Sequence, residues 1–201
     1  MPHPTRPPVA APCRRPIDHA GFSLIELLIV IVIIGLVTAI SIPRIDVDAY
    51  RITGTVRSLN SSLMYAERLA ITLQHDVRVS IDVLNNRMRI HEDNNNDGNM
   101  DAGERITYVN LGENVTFGVG GALPLPFGAA TVNLTQASTD GLPMIVFRRD
   151  GTASENGGFY IIPIRSLALG LWKNVRAGEV VRSTGRILWY SYSTNTWQRG
   201  N

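Results

Sequence analysis

The sequence predicts an α+β protein in which a long N-terminal helix packs on an antiparallel β-sheet domain. Three observations carry that expectation. Residues 22–42 form an apolar run with a single ionisable group, Glu26. After Pro43 the apolar residues thin to a helical stripe. From Val77 they alternate with polar ones in short segments separated by Asn, Asp and Gly. A helix followed by many short strands suits two packed layers around one core, with the strands antiparallel and arranged as two sheets.

The first element is the apolar run. As a helix, residues 22–42 would reach about 31 Å at about 1.5 Å per residue, enough for a hydrocarbon core of about 30 Å. A transmembrane helix over residues 22–43 is therefore expected, ended by Pro43. Inside hydrocarbon a lone carboxylate costs about 2.5–3.5 kcal/mol, so Glu26 asks for a role beyond anchoring.

The segment before it is different. Residues 1–21 contain Pro2, Pro4, Pro7, Pro8, Pro12 and Pro16, which forbid a stable helix. Arg14 and Arg15 stand just before the apolar run, so the positive-inside bias keeps this end cytoplasmic and sends the C-terminal part across. The formal net charge of +2 equals the balance of Arg6, Arg14 and Arg15 against Asp18 in this segment alone. Cys13, the single cysteine, lies there too. Beyond it the side chains sum to zero, with no thiol to form a disulfide and a lopsided charge distribution. Residues 76–114 carry eight acids and four bases, and residues 141–201 carry eight bases and three acids.

Residues 44–75 are expected to continue as an amphipathic helix. Ile45, Ala49, Ile52, Val56, Leu59, Leu63, Ala66, Ala70 and Leu73 recur at spacings of three and four, the signature of a face packed on its own domain. Residues 76–201 form the β-rich domain. Val77, Val79, Ile81 and Val83 alternate with Arg78, Ser80 and Asp82, Asn85 and Asn86 make a tight turn, and Met88 and Ile90 begin the return strand. Further strands are expected at 105–111, 115–119, 131–134, 144–147, 159–164, 179–182 and 186–192.

Gly21-Phe22-Ser23-Leu24-Ile25-Glu26, followed by the unbroken apolar helix with Gly35 and Pro43, resembles the type IV prepilin signature. The resemblance implies a pilin-like fold, a leader over residues 1–21, cleavage between Gly21 and Phe22 by a prepilin peptidase, N-methylation of Phe22 and assembly into a helical filament. In such a filament the carboxylate of Glu26 can pair with the new amine of Phe22 on a neighbouring subunit, which hydrocarbon would favour over two solitary charges. Two later elements narrow the resemblance. Ile145-Val146-Phe147-Arg148-Arg149-Asp150-Gly151 and Thr184-Gly185-Arg186 resemble motifs of the GspH/FimT family of pilin-like proteins. That family implies a minor subunit of a type II secretion pseudopilus or a type IV pilus, at initiation or tip. It implies other pilins or pseudopilins, the prepilin peptidase, the inner-membrane assembly platform and the lipid bilayer as partners. It also implies an inner-membrane location with a periplasmic C-terminal domain before assembly.

Two further patterns carry chemistry. Residues 93–104 fit a twelve-position calcium loop, with Asp93, Asn95, Asp97, the Asn99 carbonyl, Asp101 and Glu104 as oxygen donors and Gly98 at position six. The pattern leaves two readings open, a structural calcium or a solvated hairpin tip of turn-forming residues with no cofactor, since strands rather than helices flank it. The second pattern concerns nucleic acid. Some FimT-type minor pilins resemble DNA receptors through a G-R-x-R element. Here Gly185 and Arg186 match, Leu188 replaces the second Arg, and Arg182 lies nearby. Trp189, Tyr190, Tyr192 and Trp197 offer stacking faces, so a pilus-displayed DNA-binding subunit for DNA uptake is the alternative, disfavoured by the neutral charge beyond the leader. No G-x-S-x-G elbow, P-loop or metal-spaced histidine pair is present, which argues against an enzyme.

Overall fold

The computed structural model describes residues 21–41 and 46–200. The expected leader through Ala20, with Cys13, Arg14 and Arg15, lies outside the described residues, as do Ile42, Pro43 and Ile45. The chain divides into two compact units, residues 1–45 and 46–201.

In the first unit, helix α1 spans Leu24–Ser41. The carbonyl of Ser23 accepts the N–H groups of Glu26 (3.0 Å) and Leu27 (3.2 Å), which starts the helix. Its 18 residues give about 27 Å of length. Among the described residues no helix is long and apolar enough to cross a membrane. The apolar sequence continues to Ile42, past the last described residue of α1.

The second unit begins with α2, Val47–Leu73. Asp46 caps it by accepting the Ala49 N–H, and Gln74 ends it in the left-handed region at φ 59°. Its buried face is Ile52, Thr55, Leu59, Leu63, Ala66 and Ala70. The expected stripe holds except at its end, where Leu73 is exposed. Thr55 joins the buried face because its hydroxyl donates to the Arg51 carbonyl at 3.1 Å and needs no water.

Two antiparallel sheets follow. The smaller has the order β3-β2-β1-β6, formed by Ile106–Asn110, Arg87–Asp93, Asp76–Asp82 and Met144–Phe147. The larger has the order β10-β9-β8-β7-β4, formed by Thr196–Arg199, Ile187–Ser193, Arg176–Val180, Gly157–Pro163 and Val115–Phe117. Short β5, Val132–Asn133, also pairs with β7. The main core gathers the α2 face with Val77, Val79, Ile90, Phe147, Phe159 and Ile161. A second cluster on the large sheet holds Tyr160, Ile162, Val175, Ala177 and Tyr192. The Tyr160 hydroxyl ties the loop over it by donating to the Gly128 carbonyl at 2.7 Å and accepting the Leu125 N–H at 2.8 Å.

Four details depart from the sequence expectation. The strand placed at 179–182 is β8 at 176–180, because Gly178 is a close-approach residue and not a breaker: a Cβ there would sit 2.9 Å from the Phe159 ring. Strand β7 begins at Gly157 and Gly158 and stops at Pro163, after which Ile164–Ala168 forms the short helix α3. Strand β10 was not foreseen; it returns through Thr194 and Asn195, both at positive φ as a type I′ hairpin requires. Finally, Ser80 and Asp82 are buried instead of facing water.

Leu59→Ala should lower the free energy of unfolding by about 2–5 kcal/mol. Leu84→Ala, at a position 93% exposed, should change it by no more than about 0.5 kcal/mol. Chemical denaturation of the two variants checks the assignment of the core.

Candidate functional site

The N-terminal candidates lie together at the start of α1. Gly21, Phe22 and Ser23 precede the helix, Phe22 is 84% exposed, and Glu26 is in the first turn with its side chain exposed. Every described side chain from 22 to 39 is exposed, so this helix presents an apolar surface on all sides.

A second site is built on the outer face of the small sheet. The hairpin register pairs Arg78 with His91, Ser80 with Arg89 and Asp82 with Arg87. These residues share one face, and Asp93 lies diagonally from Arg78. Arg89 is buried and grips Asp140 with two nitrogens, at 2.6 and 2.8 Å, while its Nη2 also reaches Ser80 at 3.3 Å. The loop carrying Asp140 thus brings a charge to this face, which is why Ser80 is buried. Arg87 bonds Asp82 at 3.1 Å and stacks over Tyr108. Hydrogen bonds from Arg89, then from Ser138, hold the Asp140 carboxyl far below the usual carboxylate range. Asp82 is lowered chiefly by its bond from the Asn85 side chain.

The loop 93–104 closes on this network. Asp93 is fully buried; its carboxylate accepts from Arg78 Nε at 2.5 Å and from the N–H groups of Asp97 and Gly98. Glu104 accepts from the N–H groups of Asn94 and Asp101 and lies 2.6 Å from His91 Nε2. The Asp101 N–H contributes most to holding the Glu104 carboxyl below its ordinary value. Asn95 donates to Asp101, and the Asn99 N–H donates to Asp97. Asn96 and Gly98 take positive φ, so the turn chemistry of the motif is present. Among the described residues no group of three or more His, Cys, Asp or Glu is placed to hold a metal ion. The cation facing Asp93 is the guanidinium of Arg78. Neither Arg78 nor His91 was singled out from the sequence, although the register set by the Asn85–Asn86 turn places both beside this loop.

The nucleic-acid candidates are scattered. Arg182 and Arg186 are exposed, but Arg182 lines a cleft of about 410 Å³ with Arg148 and Asp150, while Arg186 lines another of about 520 Å³ with Glu67 and Arg68. Of the expected stacking faces Tyr192 is buried, and Trp189, Tyr190 and Trp197 are half-buried and held by contacts of their own. Trp189 packs edge-on to Phe159 and donates to Asn60, and Trp197 donates to the Leu123 carbonyl.

Comparisons with known proteins agree with this organisation. Residues 18–42 match the prokaryotic N-terminal methylation motif. Residues 55–176, from within α2 to the start of β8, match the family described as Type II transport protein GspH. The chain belongs to the GspH family of type II transport proteins, and is a pilin-like subunit of the pseudopilin and minor-pilin class. Among solved structures, the minor pseudopilin EpsH from the Type 2 Secretion System of Vibrio cholerae aligns over 71% of this chain and 90% of that one, at 14% identity and a TM-score of 0.39. No curated protein matches the chain.

Arg78→Met leaves the Asp93 carboxylate buried without its cation and should destabilise the protein by about 3–5 kcal/mol. Calcium should leave the melting temperature of the natural protein unchanged, because Arg78 already faces the Asp93 carboxylate; a rise on adding calcium that is lost in Asp97→Ala would show instead that the loop binds the ion. Acid supplies a second test. Asp82, Glu104 and Asp140 all have folded-state pKa values below the ordinary ones of about 3.9 and 4.3, so their stabilisation is complete above that range and is lost as pH falls through the lower folded values. Melting should fall steeply below about pH 4, and less steeply in Asp140→Asn, which starts from a lower value at neutral pH.

Proposed function

We propose that this chain is a membrane-anchored minor subunit that is processed after Gly21 and then extracted into a type II secretion pseudopilus or a type IV pilus, joining at initiation or at the tip. The observation that carries this reading is α1. It is an apolar helix exposed on every side, in a unit separate from the β domain, and it begins with Gly-Phe and a single carboxylate. An isolated apolar rod is costly in water and is stable in a lipid bilayer or among other such rods. Before assembly the run 22–42 spans the inner membrane with the N-terminus in the cytoplasm and the β domain in the periplasm. There the partners are the prepilin peptidase, the assembly platform and other pilins or pseudopilins. Glu26 neutralises the new Phe22 amine of a neighbouring subunit. The DNA-uptake alternative rests on exposed Arg182 and Arg186 and is the weaker reading, since they line different clefts, Leu188 stands where a second Arg would be needed, and the charge beyond residue 21 sums to zero.

Intact-mass analysis of the protein from host membranes should find a chain that begins at Phe22 and carries one added methyl group. An unprocessed chain would contradict the proposal. Glu26→Gln should still be cleaved, yet enter filaments less efficiently by about tenfold or more, the effect of losing about 1.4 kcal/mol or more of pairing.

A further inference from the structure

One surface of the β domain is not used by any of these roles. Lys173 bonds the N-cap residue Asp46 at 2.8 Å, and Asn174 approaches the same carboxylate at 3.4 Å. These contacts fix the α3–β8 connection against the N-terminal end of α2. That connection is unusually apolar for a surface: Leu169 is 61% exposed, Leu171 44% and Trp172 40%. Tyr50, in the first turn of α2, is 83% exposed. Trp172 is held by an edge-on contact with the buried Tyr192, whose ring meets Trp197 in turn, so the exposed indole is carried on a rigid aromatic row.

We propose that this surface, with Trp172 and Tyr50 as its anchors, rests on the lipid headgroups before assembly. The inference rests on the reading of residues 22–42 as a membrane span. The chain reaches Asp46 from Ser41 through residues 42–45 alone, five peptide steps that extend at most about 18 Å. The polar region on each side of a bilayer core is several ångströms thick, about half the difference between 40–45 Å and 30 Å. The end of the domain that bears Asp46 is thus tethered close to that layer. Its composition suits the location, because Trp and Tyr prefer the interface and Lys keeps its ammonium in water while its stem lies along apolar surface. Exposed clustered Leu and Trp are otherwise a liability on a soluble domain. The contact would seat the domain at a fixed height over the membrane from which it is extracted.

The test uses the full chain reconstituted into vesicles of phosphatidylethanolamine and phosphatidylglycerol whose acyl chains carry bromine close to the headgroup, a short-range quencher of indole fluorescence. Resistance to alkaline extraction is scored on the same sample. The protein should be quenched relative to unbrominated vesicles, and Trp172→Phe should bring quenching down to the unbrominated level although Trp189 and Trp197 remain. Tyr50→Trp in the Trp172→Phe background should restore it, and unchanged near-ultraviolet circular dichroism shows that both variants are folded. If the chain resists extraction but Trp172→Phe quenches as the natural protein does, the surface does not touch lipid and the inference is overturned, leaving a second copy or another subunit as its occupant. If alkali extracts the chain, the membrane span itself is wrong and the inference falls with it.

Discussion

The β domain depends on one helix face. The stripe from Ile52 to Ala70 meets strands of both sheets, β1 and β6 of the smaller and β4, β7 and β9 of the larger. Neither sheet is closed on itself, and β1 to β10 contain no disulfide to hold the layers together. Burial of this apolar stripe is therefore what makes two sheets a single core. The small residues Ala66 and Ala70 matter as much as the leucines, because they let strands approach the helix backbone closely.

The outer face of the small sheet follows a different rule. It buries charges in pairs instead of apolar groups. Buried ion pairs add little net stability, because desolvation offsets the attraction, but removing one partner is strongly destabilising. Their value here is geometric. Arg78 fixes the loop 93–104 through Asp93, His91 fixes its far end through Glu104, and Arg89 pulls the Asp140 loop across Ser80. A loop with the donor pattern of a calcium site is thereby closed by side chains of the adjoining strands.

Much of the fold could be read from the residues because the physical signals were local. The 3.6-residue period from Ile52 to Ala70 and the two-residue period from Val77 to Ile81 each report a buried face directly. Signals that depend on another element were lost. Strand β8 takes in Gly178, which sits against the Phe159 ring of the neighbouring strand, and Ser80 is buried because Asp140 arrives from sixty residues further on. The same limit applies to the sites. The N-terminal methylation motif is local, and residues 18–42 match it, whereas the Arg78–Asp93 closure and the Trp172 surface are assembled from separate strands and loops.

An apolar helix exposed on every side and a β domain with its own core belong to one chain, and we propose that processing of the first carries the second into a filament. The most direct measurement follows this chain in host cells with and without active prepilin peptidase, comparing the membrane with filaments sheared from the surface. The account predicts that the chain reaches the filament fraction only when the peptidase is active and otherwise stays in the membrane. Recovery in filaments regardless of the peptidase, or in the soluble fraction, would contradict it.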